Sequence, residues 1–196
     1  MVSQNNEAEI VINYFNGYVG NLLSLGENDG ITLSNSYDLI QLGWGGDLFE
    51  PVIECYYKIC NLHKEKDNVF AHPYGIANTS GKQMFYLTED SLLASLNKDL
   101  ALSWGGKHEV VYLDFMTVKA AINMAHYDKF DFITIDCEGE DLNILEQLNL
   151  TELGCKCLCI EHGNSVPNYN RIKEICSQHG LKKELLRNFE NVIFAI

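Results

Sequence analysis

Apolar and polar residues recur with two different spacings along this chain, and together these spacings predict short strands that alternate with short helices. Compact β-rich apolar runs predict strands, and apolar residues that recur every three or four positions predict helices. The predicted strands are 21–25, 47–49, 68–71, 83–87, 109–113, a run ending at 135, 155–160, 183–186 and 192–196. The predicted helices are 7–15, 32–42, one opened by Pro51, 117–127, one after Gly139, and 167–179. In the helix opened by Pro51, the apolar stripe is Ile53, Tyr56, Tyr57 and Cys60.

This order of elements indicates an α/β fold with a mostly parallel sheet, and the last two strands indicate an antiparallel β-hairpin. Right-handed crossovers between parallel strands place helices on both faces of such a sheet. A chain of 196 residues is long enough for one full hydrophobic core. We therefore expect a single domain over residues 1–196, in which residues 1–18 contribute a leading helix.

The segment 88–107 is polar and irregular in sequence. Loops of this length in compact domains often cover a binding site, so we expect a lid or substrate loop here. Trp104, which precedes Gly105 and Gly106, is the candidate for contact with a substrate. Tyr86 and Tyr112 are expected to pack in the core instead.

Two carboxylates follow the strand that ends at residue 135. Asp136 and Glu138 stand there, followed by Gly139 and a predicted helix. In an open α/β sheet, ligands bind at the carboxyl ends of the strands. Two acids at such a strand end are hard to explain as packing, so we expect them to belong to a functional site.

Charge and cysteine content narrow the class of partner. The formal net charge of -13 weighs against nucleic acid, because binding to a phosphate backbone needs clustered Lys and Arg. No apolar run is long enough to span a bilayer, and the residues after Met1 lack the basic start of a secretory signal. Cys155, Cys157 and Cys159 alternate along one strand, so they are expected to share one buried face. Since no C-x-x-C pair occurs, a zinc or redox cluster is disfavoured and a reducing cytoplasm fits best.

The loop after the first predicted strand has the composition of a cofactor-binding turn. Gly26 and Gly30 let the backbone approach a ligand closely, and Glu50 closes the next strand, where nucleotide-binding sheets place an acid for ribose hydroxyls. Glu27 and Asp29 lie within the same loop and would repel a pyrophosphate. They suit a cofactor with a positive centre and an ammonium group, such as S-adenosylmethionine.

Four segments, in the right order and over most of the chain, resemble the motifs of FkbM-type methyltransferases. The segments are Leu25-Gly26-Glu27-Asn28-Asp29-Gly30-Ile31-Thr32-Leu33-Ser34-Asn35-Ser36, Gly43-Trp44-Gly45-Gly46-Asp47-Leu48-Phe49-Glu50-Pro51, Asp131-Phe132-Ile133-Thr134-Ile135-Asp136-Cys137-Glu138-Gly139 and Cys159-Ile160-Glu161-His162. The resemblance implies a Rossmann-like, seven-stranded class I methyltransferase sheet with S-adenosylmethionine over the strand ends.

The resemblance also implies roles for individual residues. Gly26, Asn28 and Gly30 would line the methionine end of the cofactor, with Glu27 and Asp29 beside them. Glu50, followed by Pro51, would take the ribose hydroxyls, and Gly75 and Ile76 would lie near the adenine. Asp136 would face the methyl-transfer centre. One position departs from the pattern: the acid usual two residues before the first glycine is replaced by Ser24, so Glu27 or Asp29 must compensate or cofactor binding is weakened.

Two chemistries are open for activation of the acceptor. His162 follows the strand 155–160 and has a suitable pKa for a general base, with Glu161 to orient it or to bind substrate. Alternatively, a divalent ion such as Mg²⁺ could activate the hydroxyl through oxygen and nitrogen ligands. The candidate ligands are Asp136, Glu138, Glu161, His162 and Asn164. Metal-independent general-base chemistry is preferred.

We therefore expect a cytoplasmic S-adenosylmethionine-dependent O-methyltransferase that acts on a small-molecule, sugar or glycan hydroxyl, without a nucleic-acid or membrane partner. The small size of the chain makes a homo-oligomer possible, with the pocket completed by a second subunit. An NAD-dependent oxidoreductase is the alternative from another enzyme class, and the acidic loop at Glu27 argues against it. A non-catalytic cofactor-binding relic is the third hypothesis, for which Ser24 is the main argument.

Overall fold

The computed structural model describes residues 1–89, 91–103 and 107–196. In these ranges the helices are α1 (Glu7–Phe15), α2 (Tyr37–Gln41), α3 (Ile53–Leu62), α4 (Lys98–Ser103), α5 (Val118–Met124), α6 (Asp141–Leu145) and α7 (Val166–Gln178). The strands are β1 (Asn21–Leu25), β2 (Gly45–Phe49), β3 (Val69–His72), β4 (Gly75–Ile76), β5 (Gly81–Thr88), β6 (His108–Met116), β7 (Phe132–Ile135), β8 (Cys157–Glu161), β9 (Lys183–Arg187) and β10 (Asn191–Ala195). A 3₁₀ turn covers Ser91–Leu93.

Seven strands form the main sheet in the order β3-β2-β1-β7-β8-β10-β9. The first five are parallel, whereas β10 runs antiparallel to both of its neighbours. The predicted α/β fold, the mostly parallel seven-stranded sheet and the terminal hairpin are therefore confirmed. The strand order reverses between β1 and β7, and at such a switch point the flanking loops diverge and leave a crevice at the carboxyl ends of the strands.

Alternate side chains of the strands feed two hydrophobic cores, one on each face of the sheet. Leu23, Leu25 and Ile133 point to the face covered by α5, α6 and α7, where a large apolar cluster forms. Leu22 and Phe132 point to the opposite face, which α1, α2 and α3 cover. Because both faces of the central strands are buried, their sequences are apolar throughout rather than alternating.

A second sheet of three strands, in the order β4-β6-β5, was not anticipated. Its strands 81–88 and 108–116 were predicted as strands, but nothing in their spacing indicated that they leave the main sheet. Phe85 and Phe115 bury against Val52 and Cys55 in a separate small cluster. This sheet lies beside the end of β2, and Tyr112 on it is 62% exposed, so its predicted core role is wrong.

Two predicted helices differ from the observed ones. The helix expected over 32–42 covers only Tyr37–Gln41, because residues 31–36 are held in turns by the side chains of Asp29 and Ser34. The helix expected to open at Pro51 begins at Ile53, after Val52. Its buried positions are Cys55 and Ile59, whereas most of the predicted stripe faces solvent or lies half-buried.

The structure also tests the predictions made for the cysteines and for the segment 88–107. All seven cysteine thiols are free. Cys157 and Cys159 share one buried face, but Cys155 precedes β8 and packs into the core on the opposite face, so the prediction of a common face for all three is wrong. The segment predicted as irregular contains the 3₁₀ turn and α4, while Trp104 and its glycines lie outside the described residues.

Candidate active site

Two cavities adjoin at the switch point of the main sheet. One has a mostly apolar lining, and the other has a polar, acidic lining. They share Gly26, Asn28, Asp136 and Glu138, which belong to the turns after β1 and β7. A ligand can therefore extend from the apolar cavity across these two turns into the acidic one.

The apolar cavity is walled by the small sheet and by the segment after β5. Gly75 and Ile76 of β4 face it together with Phe85 and Phe115. Gly75 accommodates the Phe115 ring so closely that a Cβ at this position would come within 2.2 Å of it. The remaining walls come from Pro51, Val52, Leu92, Ala94 and Leu96. Such a slot suits a flat, largely apolar group.

Glu50 stands where the apolar cavity meets the end of β2. Its carboxylate accepts hydrogen bonds from the backbone amides of Asn28 and Val52, both at 2.8 Å. Burial raises the pKa of Glu50 to about 7, and these two hydrogen bonds oppose the shift. Glu50 therefore ties the turn after β1 to the start of α3 and presents a carboxyl group to the cavity.

Glu27 occupies a buried nest of serine hydroxyls on the side of the acidic cavity. Ser34 and Ser36 donate to its Oε1 at 2.8 and 2.6 Å, and Ser24 donates to Oε2. Burial raises the pKa of this carboxyl group, and the three hydroxyl contacts lower it. The side chain from position 27 thus brings a carboxyl group to the end of β1 beside Ser24, the position where the family pattern has an acid.

Two loop residues predicted to bind cofactor lie elsewhere. Asp29 does not line either cavity, and its carboxylate accepts bonds from the amides of Ile31 and Thr32 and from the Thr32 hydroxyl. Gly30 packs against α3, where a Cβ would lie 3.1 Å from Leu62 and 3.2 Å from Ile59. Both residues shape the loop rather than face the space that a ligand would occupy.

The turn after β7 concentrates carboxyl groups at the junction of the cavities. Burial raises the pKa of Asp136 to about 7, and the nearby Asp141 charge adds to the shift. Burial raises the pKa of Glu138 to about 9, with a further contribution from Asp136. Glu138 adopts a left-handed backbone conformation, with φ of 47°, and the following Gly139 has φ of 103°. Asp141 holds this turn by accepting bonds from the amides of Cys137 and Gly139 at 2.7 and 3.0 Å.

Glu161 and His162, the two residues predicted at the end of β8, have side chains that point in different directions. Glu161 lines the acidic cavity, and burial together with the Asp141 charge raises its pKa to about 9. His162 points away: it is 3% exposed, it lines neither cavity, and its Nε2 lies 3.2 Å from the carbonyl oxygen of Asn188. The structure thus removes the geometric basis for His162 as a general base.

The oxygen atoms that converge best for a cation differ from the predicted set. Among the described residues, Asp136, Asp141 and Glu161 bring carboxylate oxygens within 4.8 Å of one another. Asp141 was not predicted, although its place two residues after Gly139 is typical of a side chain that holds a turn. Glu190 and Asn191 of the terminal hairpin also line the acidic cavity, and no local motif signals them.

The fold and the two cavities define an α/β enzyme that binds a nucleoside-containing cofactor at a switch point. The acid-rich turn and the absence of Lys, Arg and His among the described lining residues suit a positively charged cofactor better than a pyrophosphate. The model of the methyltransferase FkbM domain matches residues 24–182, so the chain belongs to this family. Membership of this methyltransferase family decides against the oxidoreductase alternative.

Solved structures share the fold at low sequence identity. The METTL16 methyltransferase domain has a TM-score of 0.51 at 12% identity, with 96% of this chain and 64% of that chain covered. A putative RNA methyltransferase from Pyrococcus horikoshii has a TM-score of 0.52 at 13% identity, covering 97% and 82%. Fibrillarin from Aeropyrum pernix, solved with natively bound S-adenosyl-L-methionine, has a TM-score of 0.51 at 10% identity, covering 89% and 66%. No curated protein sequence gives a significant match.

Proposed function

We propose that this methyltransferase methylates a hydroxyl group of a small molecule, sugar or glycan. The observation that supports this is the acidic cavity: Glu27, Asp136, Glu138, Glu161 and Glu190 line it, and its described lining contains no basic side chain. Such a wall offers no cationic partner to a phosphate group, and its carboxyl groups can form hydrogen bonds with the hydroxyls of a neutral or cationic acceptor.

The two cavities together offer groups that would hold each part of S-adenosylmethionine. Ile76, Phe85 and Phe115 would hold the adenine, and Glu50 would take the ribose hydroxyls. Gly26 and Asn28 would line the methionine part, and Glu27 would pair with its ammonium group. When bound, the cofactor supplies a methyl group on a positively charged sulfur. Asp136 lies where the two cavities meet and would face this positive centre.

Asp136 is also the base that this geometry favours. A hydroxyl acceptor must lose its proton as it attacks the methyl group, and a base works best when its pKa is near the working pH. Asp136 lines both cavities, and its pKa of about 7 meets that condition. Glu138 and Glu161 then hold further hydroxyls of the acceptor. Alignment of oxygen, carbon and sulfur supplies most of the remaining rate acceleration.

We propose that this chemistry needs no metal, and that the protein works in the cytoplasm on a soluble acceptor, without nucleic acid or membrane. The free cysteines and the net charge of -13 support these proposals. No helix among the described residues combines the length and the apolar character needed to cross a membrane. A metal ion on Asp136, Asp141 and Glu161 is the alternative, and loss of turnover in EDTA that Mg²⁺ restores would support it.

The test is methyl transfer from S-[methyl-³H]adenosylmethionine to a panel of sugars, amino sugars, glycans, phenols and RNA oligonucleotides. We expect label on a hydroxyl-bearing, phosphate-free acceptor, and Asp136→Asn should lower kcat about 10²–10⁴-fold with a smaller change in cofactor affinity. The exposed Asp128→Asn is the control. Methylation of RNA alone would overturn the proposed acceptor class, and an unchanged kcat in Asp136→Asn would remove Asp136 as the base.

A further inference from the structure

A second group of metal-ligating side chains lies apart from both cavities. Asp47 is in the middle of β2, His72 ends β3, and His126 follows α5. None of the three lines the cofactor or the acceptor cavity. Their ligand atoms all lie within 4.8 Å of one another. The fold therefore brings two imidazoles and one carboxylate together from three separate elements.

The contacts converge on a single oxygen atom. Asp47 Oδ1 lies 2.7 Å from His72 Nε2 and 3.4 Å from His126 Nδ1. Asp47 is fully buried, and the side chain of His126 is 50% exposed. The group thus combines a buried carboxylate with one ligand, His126, that lies partly at the surface.

Neighbouring groups hold all three side chains in place. The backbone amides of His126 and Tyr127 donate to the Asp47 carboxylate at 3.0 to 3.2 Å. Phe49 stacks on the His72 ring at 4.4 Å between centroids, and Phe70 stacks on the His126 ring at 3.6 Å. Ligands that are already oriented lose little freedom when an ion binds, which favours affinity.

We propose that Asp47, His72 and His126 form a binding site for a divalent transition-metal ion of the zinc type. Two neutral imidazoles and one carboxylate are a ligand set that Zn²⁺ accepts, with a fourth position left to water. The carboxylate gives the site a net charge of minus one before binding, which attracts a divalent cation and leaves a net charge of plus one once the ion is bound.

The two distances to Asp47 Oδ1 need only a small adjustment. With metal–ligand bonds of about 2.0–2.2 Å, ligand atoms around a tetrahedral ion lie about 3.3 Å apart. The pair Asp47 Oδ1 and His126 Nδ1, at 3.4 Å, already has this spacing. His72 must move by about half an ångström on the same geometry, and its ring proton passes from Nε2 to Nδ1, so that Nε2 has a free lone pair.

Bound metal would join β2, β3 and the connection between α5 and β7. These elements lie at one edge of the main sheet, where β3 has only one partner strand. An ion that binds the folded chain and not the unfolded one stabilises the fold in proportion to the logarithm of its concentration. The site would therefore act as a structural clip and not as part of methyl transfer.

The test is a metal titration of the metal-free, full-length protein. Zn²⁺ at about one hundred times its dissociation constant should raise Tm by about 5–10 °C. Co²⁺ should give the visible absorption of a low-symmetry site with nitrogen and oxygen ligands. In His126→Ala the affinity for both ions should fall by more than about tenfold. In His179→Ala and Glu161→Gln, which leave the proposed ligands intact, both ions should bind with the wild-type affinity.

Three outcomes would overturn the proposal. The first is no rise in Tm and no Co²⁺ spectrum at millimolar metal. The second is binding that survives in His126→Ala, or that is lost in Glu161→Gln, since the ion would then occupy another site. The third is a near-ultraviolet thiolate charge-transfer band with Co²⁺, which would assign the ion to a cysteine.

Discussion

At the scale of single residues, Glu27 explains how a chain with Ser24 in place of an acid can keep a carboxyl group at the end of β1. The Glu27 carboxylate is buried and accepts hydrogen bonds from three serine hydroxyls, including that of Ser24. A loop residue thus supplies a carboxyl group directly beside the Ser24 hydroxyl. This contact removes the main argument for a non-catalytic relic.

Glu27→Gln should therefore weaken binding of S-adenosylmethionine and S-adenosylhomocysteine by about 10–100-fold, because a hydrogen bond to a charged group is lost. 5′-Methylthioadenosine lacks the amino acid part and should bind equally well to both proteins. Calorimetry with the three ligands measures the difference. Glu54→Gln, at an exposed position of α3, is the control. Equal losses for all three ligands would instead mean that the loop itself had changed.

Glu50 is the second residue whose contribution to cofactor binding can be measured by itself. Glu50→Ala should weaken cofactor binding by about 1–3 kcal/mol, since a buried carboxyl partner of the ribose and of two backbone amides is removed. Glu54→Ala, on the exposed side of α3, should leave the affinity unchanged. Tm of both variants checks that the fold is intact. An unaltered dissociation constant in Glu50→Ala would place this residue outside the cofactor site.

At the scale of elements, the segment from Ser91 to Ser103 is the part of the site whose structure was predicted least accurately from the sequence. Its 3₁₀ turn and the residues that follow it line the cavities and are tied to the strand-end turns by two serines. The Ser91 hydroxyl donates to Asn28 Oδ1 at 2.9 Å, and the Ser95 hydroxyl donates to the Glu138 carbonyl at 2.6 Å. These bonds link the lid segment to the residues shared by both cavities.

Ser95→Ala removes one of these links. The segment 91–103 should then exchange its amide hydrogens faster, and cofactor affinity should fall about 2–10-fold, which corresponds to the net contribution of one hydrogen bond. Ser103→Ala, whose hydroxyl donates to the Leu100 carbonyl within α4, is the control. Exchange rates measured by mass spectrometry would refute the link if the segment were equally protected in both variants.

Helix prediction failed where side chains compete with the backbone. The pattern over 32–42 is helical, yet Asp29 and Ser34 accept backbone amide bonds that a helix would otherwise use, and Leu33 has a φ of 58°. The serines gathered in this way are those that hold Glu27. Here the formation of the site overrides helix propensity, which is a weak preference in any tertiary context.

At the scale of the whole molecule, the acidic cavity should cause stability to depend on pH. Glu138 and Glu161 have pKa values of about 9 in the fold, against about 4.3 in an unfolded chain. Between these values the folded chain binds more protons than the unfolded one, so stability is lost as pH rises through about 9. The lowered pKa of His63, about 4, acts in the opposite direction but has its effect below pH of about 6.5.

The Tm of the ligand-free protein should therefore fall between pH 6.5 and 9, a range well above the isoelectric point of about 4.7. Glu161→Gln removes one of the titrating groups and should make the curve flatter. Glu9→Gln, on an exposed position of α1, should keep the wild-type slope. Differential scanning calorimetry gives the curves, and a Tm that rises over this range would contradict the burial of these carboxyl groups in protonated form.

The amino-acid pattern was enough to predict the α/β class and the order of most strands along the chain. It also placed Asp136, Glu138, Glu161 and Glu50 at the ends of strands. These follow from apolar periodicity and from the rule that parallel strands end at one edge, both of which are local or topological. The motifs also identified the family, because spacing within a turn is a property of sequence.

The folded structure was needed to show which of those side chains face a common space. In the structure His162 is buried in the core, and Glu27 supplies the carboxyl group that was expected at position 24. The strands β4, β5 and β6 form a sheet of their own. Asp141 and Asn191 belong to the site although the sequence did not indicate them. The direction of a side chain and the pairing of distant strands depend on packing between elements far apart in the chain. Local pattern carries no information about such contacts.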